Sequence, residues 1–202
     1  MDLVKAFSDF GTGLVMPAFE KLGNLPIKNF RDGVFPGVDK ISAETLKNTI
    51  GRGMEGCFAC PVRCKKVVEC KGPYEVDRAY GGPEYETLGA LGSACGVDDL
   101  KAIAKGGELC NAYSLDTISM GMSIAFAMEC FEHGILTTRD TGGIQFRWGD
   151  ASLLVQAVQM IANREGFGNV LAEGVARMAG RFGSRSQAFN MTVKGQELPM
   201  HE

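Results

Sequence analysis

The sequence predicts a mainly α fold, an irregular multi-helix domain behind a loop-rich N-terminal lead-in. Helical periodicity dominates from about residue 98 onward, alternating strand patterns are scarce, and glycine and proline punctuate the first forty residues. The 202 residues suffice for one substantial domain, residues 1–202, that buries about 70% of its unfolded surface.

In the lead-in, Gly11, Gly13, Pro17, Gly23, Pro26, Gly33, Pro36 and Gly37 break every long helix, so an extended path is expected. Ser42 precedes Ala43-Glu44-Thr45-Leu46-Lys47, where its hydroxyl can cap free amides and Glu44 suits the first turn of a short helix. Asp98 or Asp99 can cap a helix to about Tyr113, with Leu100, Ile103, Ala104 and Leu109 apolar and Gly106-Gly107 a weak point. Asp116 caps the next helix, which carries Ile118, Met122, Ala125, Phe126 and Phe131 and stops at Gly134. Asp150 starts a third, whose stripe of Leu154, Ala157, Val158, Ile161 and Ala162 ends before Gly166, read as the C-cap. A fourth runs from about Asn169 to Arg181, and Phe189 to Val193 is the best strand candidate. Met120, Met122 and Met128 read as core, Trp148 as a packing anchor and His133 as a helix-end partner of the dipole.

Composition excludes several functions. Apolar residues at 45% and charged residues at 22% describe a folded chain rather than a disordered one. A net charge of −3 offers no concentrated basic field for nucleic acid. The longest apolar stretch, Ile118 to Phe131, is interrupted by Ser119, Ser123 and Glu129 and falls short of the roughly 20 residues a bilayer needs, so no membrane is expected. Met1-Asp2-Leu3-Val4-Lys5 is no basic lead into an apolar core, and a cytoplasmic location is expected.

Seven cysteines make an odd number, and three of them fall within eight residues, Cys57-Phe58-Ala59-Cys60-Pro61-Val62-Arg63-Cys64. This C-x2-C-x3-C run suits chelation better than a disulfide framework. Gly51, Gly53 and Gly56 before it allow tight turns that aim amides at sulfur. Arg63, Lys65 and Lys66 favour thiolates and offset the negative charge of a thiolate-ligated cluster. Structural zinc is the rival reading, but it wants a second cysteine pair or paired histidines, and His133 and His201 are far apart. The order also differs from the C-x3-C-x2-C of radical enzymes and the four-cysteine run of bacterial ferredoxins. An iron-sulfur cluster with a distant fourth ligand fits best, and Cys70, Cys95, Cys110 and Cys130 read as buried thiols.

Four further stretches follow in order: Gly82-Pro83-Glu84-Tyr85-Glu86-Thr87, Leu115-Asp116-Thr117-Ile118-Ser119, Gly166-Phe167-Gly168-Asn169-Val170-Leu171-Ala172-Glu173-Gly174, and Val193-Lys194-Gly195-Gln196-Glu197-Leu198-Pro199. Together with the cysteines they resemble the tungsten-containing aldehyde:ferredoxin oxidoreductase family over nearly the whole chain. The resemblance implies an enzyme about three times this length, in which a β-rich base and two helical domains hold a tungsten bis-pterin. This sequence resembles the first helical domain of such an enzyme, a fragment expected to be inactive alone.

Residue by residue, the resemblance makes Cys57, Cys60 and Cys64 three ligands of a 4Fe-4S cluster, the fourth belonging to a later domain. The pterin-contacting D-x-x-G-L-[DC] motif corresponds to Asn111-Ala112-Tyr113-Ser114-Leu115-Asp116, with Asn111 in place of the acid and Ser114 in place of the glycine. Asn111, Leu115 and Asp116 are therefore the cofactor candidates, although Asp116 is equally an ordinary helix N-cap. Glu86 matches an acid near the metal that can take a proton, with Glu84 as the fallback; both also read as first-turn glutamates after Pro83. The histidine that the family pairs with this acid lies outside these residues.

The implied activity is oxidation of an aldehyde and water to a carboxylic acid at tungsten or molybdenum, with single electrons passed through the cluster to ferredoxin. The implied partners are ferredoxin, the aldehyde and the remaining domains, and a homodimer stays open. One rival is a benzoyl-CoA-reductase-type subunit acting on an aromatic acyl thioester; another is a non-catalytic iron-sulfur or zinc-binding electron-transfer module.

Overall fold

The computed structural model describes residues 2–201; Met1, the first residue of the N-terminal run read above, and Glu202 lie outside them. The fold is mainly α, as the periodicity predicts, but its lead-in is not extended throughout. Asp2 accepts the amide of Val4 at 3.0 Å and starts α1 (Leu3–Phe10). A 3-10 turn (Thr12–Val15) leads into α2 (Met16–Leu22), where Pro17 occupies the first turn. A proline there gives up only an amide that has no helical partner. Gly23, at φ 75°, closes the helix in the left-handed conformation. The residues that look like breakers therefore act as starts and stops, and only residues 24–37 remain a loop. Within that loop Lys28, Asn29 and Phe30 have φ of 44°, 57° and 66°, and the amides of Lys28 and Asn29 are held by the carbonyls of Ser93 and Ala94 at 3.0 Å each.

Ser42 caps α3 (Ala43–Thr49) through the amide of Thr45 at 3.2 Å, as expected. A hairpin that the glycines had masked as loop follows: β1 (Gly51–Glu55) pairs antiparallel with β2 (Lys65–Val68), Glu55 opposite Lys65. α4 (Tyr85–Thr87) continues into a buried π-type turn (Leu88–Gly92). Asp99 caps α5 (Leu100–Tyr113), which runs unbroken through Gly106-Gly107. Asp116 caps α6 (Thr117–Glu132), and Gly134 follows at φ 64°.

Every residue of α6 from Met120 to Cys130 is buried, so this helix is the axis of the core rather than an amphipathic surface helix. α7 (Ala151–Asn163) lays Leu154, Ala157, Val158 and Ile161 against that core, Asp150 capping it as expected. Its closing left-handed residue is Arg164 at φ 54°, not Gly166.

The expected fourth helix is split into α8 (Gly168–Leu171) and α9 (Val175–Phe182). The break at Gly174, φ 83°, lets the amide of Val175 reach Glu197 Oε1 at 2.8 Å, a cap supplied from a strand across the fold. Of the Phe189 to Val193 strand candidate, only β3 (Thr192–Val193) forms, paired with β4 (Gln196–Glu197). Phe189 ends a 3-10 stretch (Ser184–Phe189) wound by Ser186 Oγ, which donates to the carbonyls of Ala179 at 3.0 Å and Gly183 at 2.8 Å. Trp148 packs partly buried against the core with Arg31 over its ring at 5.6 Å, and His133 caps α6 and stacks on Phe189. Among the described residues no helix is long and apolar enough to cross a membrane.

Candidate functional site

The loop between β1 and β2, residues 56–64, carries Cys57, Cys60 and Cys64. It turns tightly: Cys60 donates its amide to the carbonyl of Cys57 at 3.0 Å, and Ala59 and Arg63 sit at φ 58° and 54°. Left-handed backbone at two residues with side chains costs roughly 1–2 kcal/mol each. Ser8 donates its hydroxyl to the carbonyl of Val62 and ties the loop to α1. Cys57 is exposed and Cys60 and Cys64 are half-buried, while Phe58 between them stands fully in solvent.

The remaining four cysteines are buried, as expected. Burial pushes the thiols of Cys110 and Cys130 up to about 12 and raises those of Cys70 and Cys95 as well, so they stay protonated and chemically quiet.

Among the described residues no three His, Cys, Asp or Glu side chains already converge as a metal-holding group. The donor set nevertheless suits a cluster: three accessible thiols on one short loop next to Lys65, a chemistry that serves three of the four corners an iron-sulfur cubane needs. The loop therefore offers the ligand chemistry the group needs at three positions, without gathering them into a closed cage.

A polar cleft of about 240 Å³ lies between the Gly81–Thr87 segment and the facing ends of α5 and α6. It brings together Glu84, Asn111, Leu115 and Asp116, four of the five non-cysteine candidates from the sequence. Asn111 donates its side-chain amide to the carbonyl of Tyr80 at 2.8 Å, across the cleft mouth. Asp116 Oδ2 accepts the amide of Ser119 at 2.7 Å, so its capping role is realised while its carboxylate still borders the cleft. Ser114 shows why glycine suits that motif position: it closes α5 at φ 56°, ψ 45°, the left-handed conformation that turns the chain toward Leu115 and Asp116. An amide, a carboxylate and the apolar edge of Leu115 suit the donor and acceptor rim of a pterin ring.

Glu86 is not part of this cleft. Its Oε2 accepts the amide of Met200 at 2.8 Å and its Oε1 lies 3.0 Å from His201 Nε2, an ion pair when the imidazole is protonated. Tyr85 donates its hydroxyl to the carbonyl of Met200, and its ring lies 4.6 Å from that of His201. Glu84 is the carboxylate at the cleft wall. Its Oε2 accepts the Thr12 hydroxyl and lies 2.8 Å from Lys66 Nζ.

Sequence reasoning missed two participants, Glu108 and His201, and the placement of a third, Lys66. Lys66 passed as a loop cation, although strand alternation after Cys64 turns it to the face opposite Lys65. Glu108 lies one helical turn before Asn111, lines the cleft and is held by the amide of Asp77 at 2.9 Å and Lys105 at 2.7 Å. His201 meets Glu86 from 115 positions away, a separation no local pattern reveals.

The family profile described as "Aldehyde ferredoxin oxidoreductase, domains 2 & 3" matches residues 1–202. Over 194 residues the chain is 37% identical to the tungsten-containing aldehyde ferredoxin oxidoreductase of Pyrococcus furiosus, covering 96% of this chain and 31% of that protein. The enzyme of the same description from Pyrococcus abyssi is 37% identical over 196 residues, with coverage of 96% and 31%. The chain thus spans about a third of the length of the curated relatives it matches. Among solved structures, the active site complex BamBC of benzoyl coenzyme A reductase, in complex with 1,5 dienoyl-CoA, aligns with a TM-score of 0.65 at 21% identity, over 97% of this chain and 27% of that one. That likeness is one of fold.

Proposed function

Because the chain belongs to the aldehyde ferredoxin oxidoreductase family, we propose that residues 1–202 form one helical domain of a longer cytoplasmic tungsten-pterin oxidoreductase. Its reaction is oxidation of an aldehyde with water to a carboxylic acid, releasing two electrons and two protons, with ferredoxin as the electron acceptor. The observation that carries this reading is the cleft, where Glu84 of one motif meets Asn111, Leu115 and Asp116 of another.

In this reading Cys57, Cys60 and Cys64 hold three corners of a 4Fe-4S cluster, and the fourth ligand comes from elsewhere in the protein. Asn111, Leu115 and Asp116 grip one edge of a pterin. When bound, the tungsten (or molybdenum) bis-pterin supplies two-electron redox chemistry and the cluster divides it into single electrons. Glu84 borders the space where substrate water would lie; its Oε2 is engaged by Thr12 and Lys66, and its Oε1 makes neither bond and can receive a proton. Glu86 and His201 form a carboxylate-imidazole pair that can move a proton onward at Oε1 and Nε2.

The test is anaerobic purification of the full-length protein with analysis of tungsten, molybdenum, iron, sulfide and zinc, followed by aldehyde-dependent reduction of ferredoxin. Tungsten or molybdenum with iron, sulfide and turnover is expected. Stoichiometric zinc without sulfide would defeat the cluster assignment, and activity confined to an aromatic acyl thioester would move the chain to the benzoyl-CoA-reductase type.

A further inference from the structure

One buried charge enters the chemistry just described only as a partner of Glu84. The Lys66 side chain is 2% exposed, yet its ammonium reaches Glu84 Oε2 at 2.8 Å. The same oxygen accepts the Thr12 hydroxyl, and Thr12 Oγ1 in turn accepts the amide of Tyr85 at 2.9 Å. Gly11 packs so closely here that a Cβ on it would fall 2.3 Å from Lys66 Nζ and 2.9 Å from the carbonyl oxygen of Cys64. The ammonium therefore sits beside the backbone of the cysteine loop and bonds the carboxylate that walls the cleft.

Desolvating an ammonium costs several kcal/mol, and an ion pair offsets this only with good geometry and further hydrogen bonds, so well-packed apolar residues often stabilise a fold equally well. The position of this pair, between the two sites, points instead to what its charges do there. We infer that Lys66 is a positioning residue, which fixes Glu84 at the cleft wall and whose charge, balanced by Glu84, sets the electrostatic potential felt at the cysteine loop. This inference rests on the reading of Cys57, Cys60 and Cys64 as cluster ligands.

A positive charge near a cluster favours the reduced state and a negative one disfavours it. Lys66→Met leaves Glu84 unbalanced, and Glu84→Gln leaves Lys66 unbalanced, so the two variants push in opposite directions. The experiment is a redox titration of the cluster by electron paramagnetic resonance, on full-length protein purified anaerobically, with iron and sulfide measured alongside. The expected result is a lower midpoint potential in Lys66→Met, a higher one in Glu84→Gln, and a value near the parent's in both Lys66→Arg and the double variant. Should Lys66→Met fail to fold, the double variant and Lys66→Arg supply the comparison with Glu84→Gln. Shifts of the same sign, or none, in variants that retain their iron overturn this inference alone. A parent protein without iron and sulfide overturns the cluster assignment and this inference with it.

Discussion

Gly121 of α6 and Ala90 of the π-type turn meet backbone to backbone: a Cβ on Gly121 would lie 2.4 Å from both the carbonyl carbon and the carbonyl oxygen of Ala90. Both residues are buried, and neither side is a flexible side-chain tip that could move away. Gly121→Ala is therefore expected to destabilise the protein by at least about 2 kcal/mol, at the costly end of overpacking effects. Thermal unfolding checks this, and an unchanged Tm would show that α6 can slide.

Asp116 offers a clean separation of two roles. Asparagine caps a helix about as well as aspartate, whereas alanine does not. Asp116→Asn is expected to keep the parent's Tm while lowering pterin content and turnover, and Asp116→Ala to lose about 1 kcal/mol of stability as well. If Asp116→Asn retains full cofactor and activity, the carboxylate is only a cap.

Glu129 is buried in α6, and this burial raises its pKa above the ordinary 4.5, partly countered by the hydrogen bond from Asn29 Nδ2 at 2.6 Å. Arg31 and His133 also pull it down, and Glu132 pushes it up. A raised carboxyl contributes stability that is full below its unfolded value and is lost as pH climbs through the folded one. Glu129→Gln keeps an acceptor for Asn29 and cannot ionise, so its Tm relative to the parent is expected to improve as pH rises above the ordinary carboxyl value of 4.5. A constant or falling difference over that range would refute the raised value.

The seven cysteines should divide by reactivity. After removal of bound iron, Cys57, Cys60 and Cys64 are expected to alkylate readily. Cys70, Cys95, Cys110 and Cys130, buried and held protonated, should remain unmodified until the protein unfolds. Mass spectrometry of iodoacetamide-treated protein reads this out directly.

The α-helical body was legible in the sequence because its capping is local. Ser42, Asp99, Asp116 and Asp150 each accept an amide two or three residues ahead, a bond that depends on nothing distant. Pro17 and Gly23 misled in the lead-in because a helix start and a helix stop have the same composition as a loop. The split at Gly174 was hidden because the cap for Val175 arrives from Glu197, 22 positions later. At the candidate site, the motifs named Glu84, Asn111, Leu115 and Asp116, which line one cleft, but the direction Glu86 faces depends on Met200 and His201 across the fold.

The hairpin that carries the cysteines also sets a rule about length. Along β2 Lys65 is exposed and Lys66 is enclosed, and successive residues of a strand face opposite sides. Deleting Lys65 would bring Lys66 to the exposed position and Val67 to the enclosed one, sending the ammonium into solvent and leaving Glu84 without its partner. In this stretch the number of residues is constrained along with their identity: a single-codon gap would disconnect the loop from the cleft as surely as loss of the lysine itself.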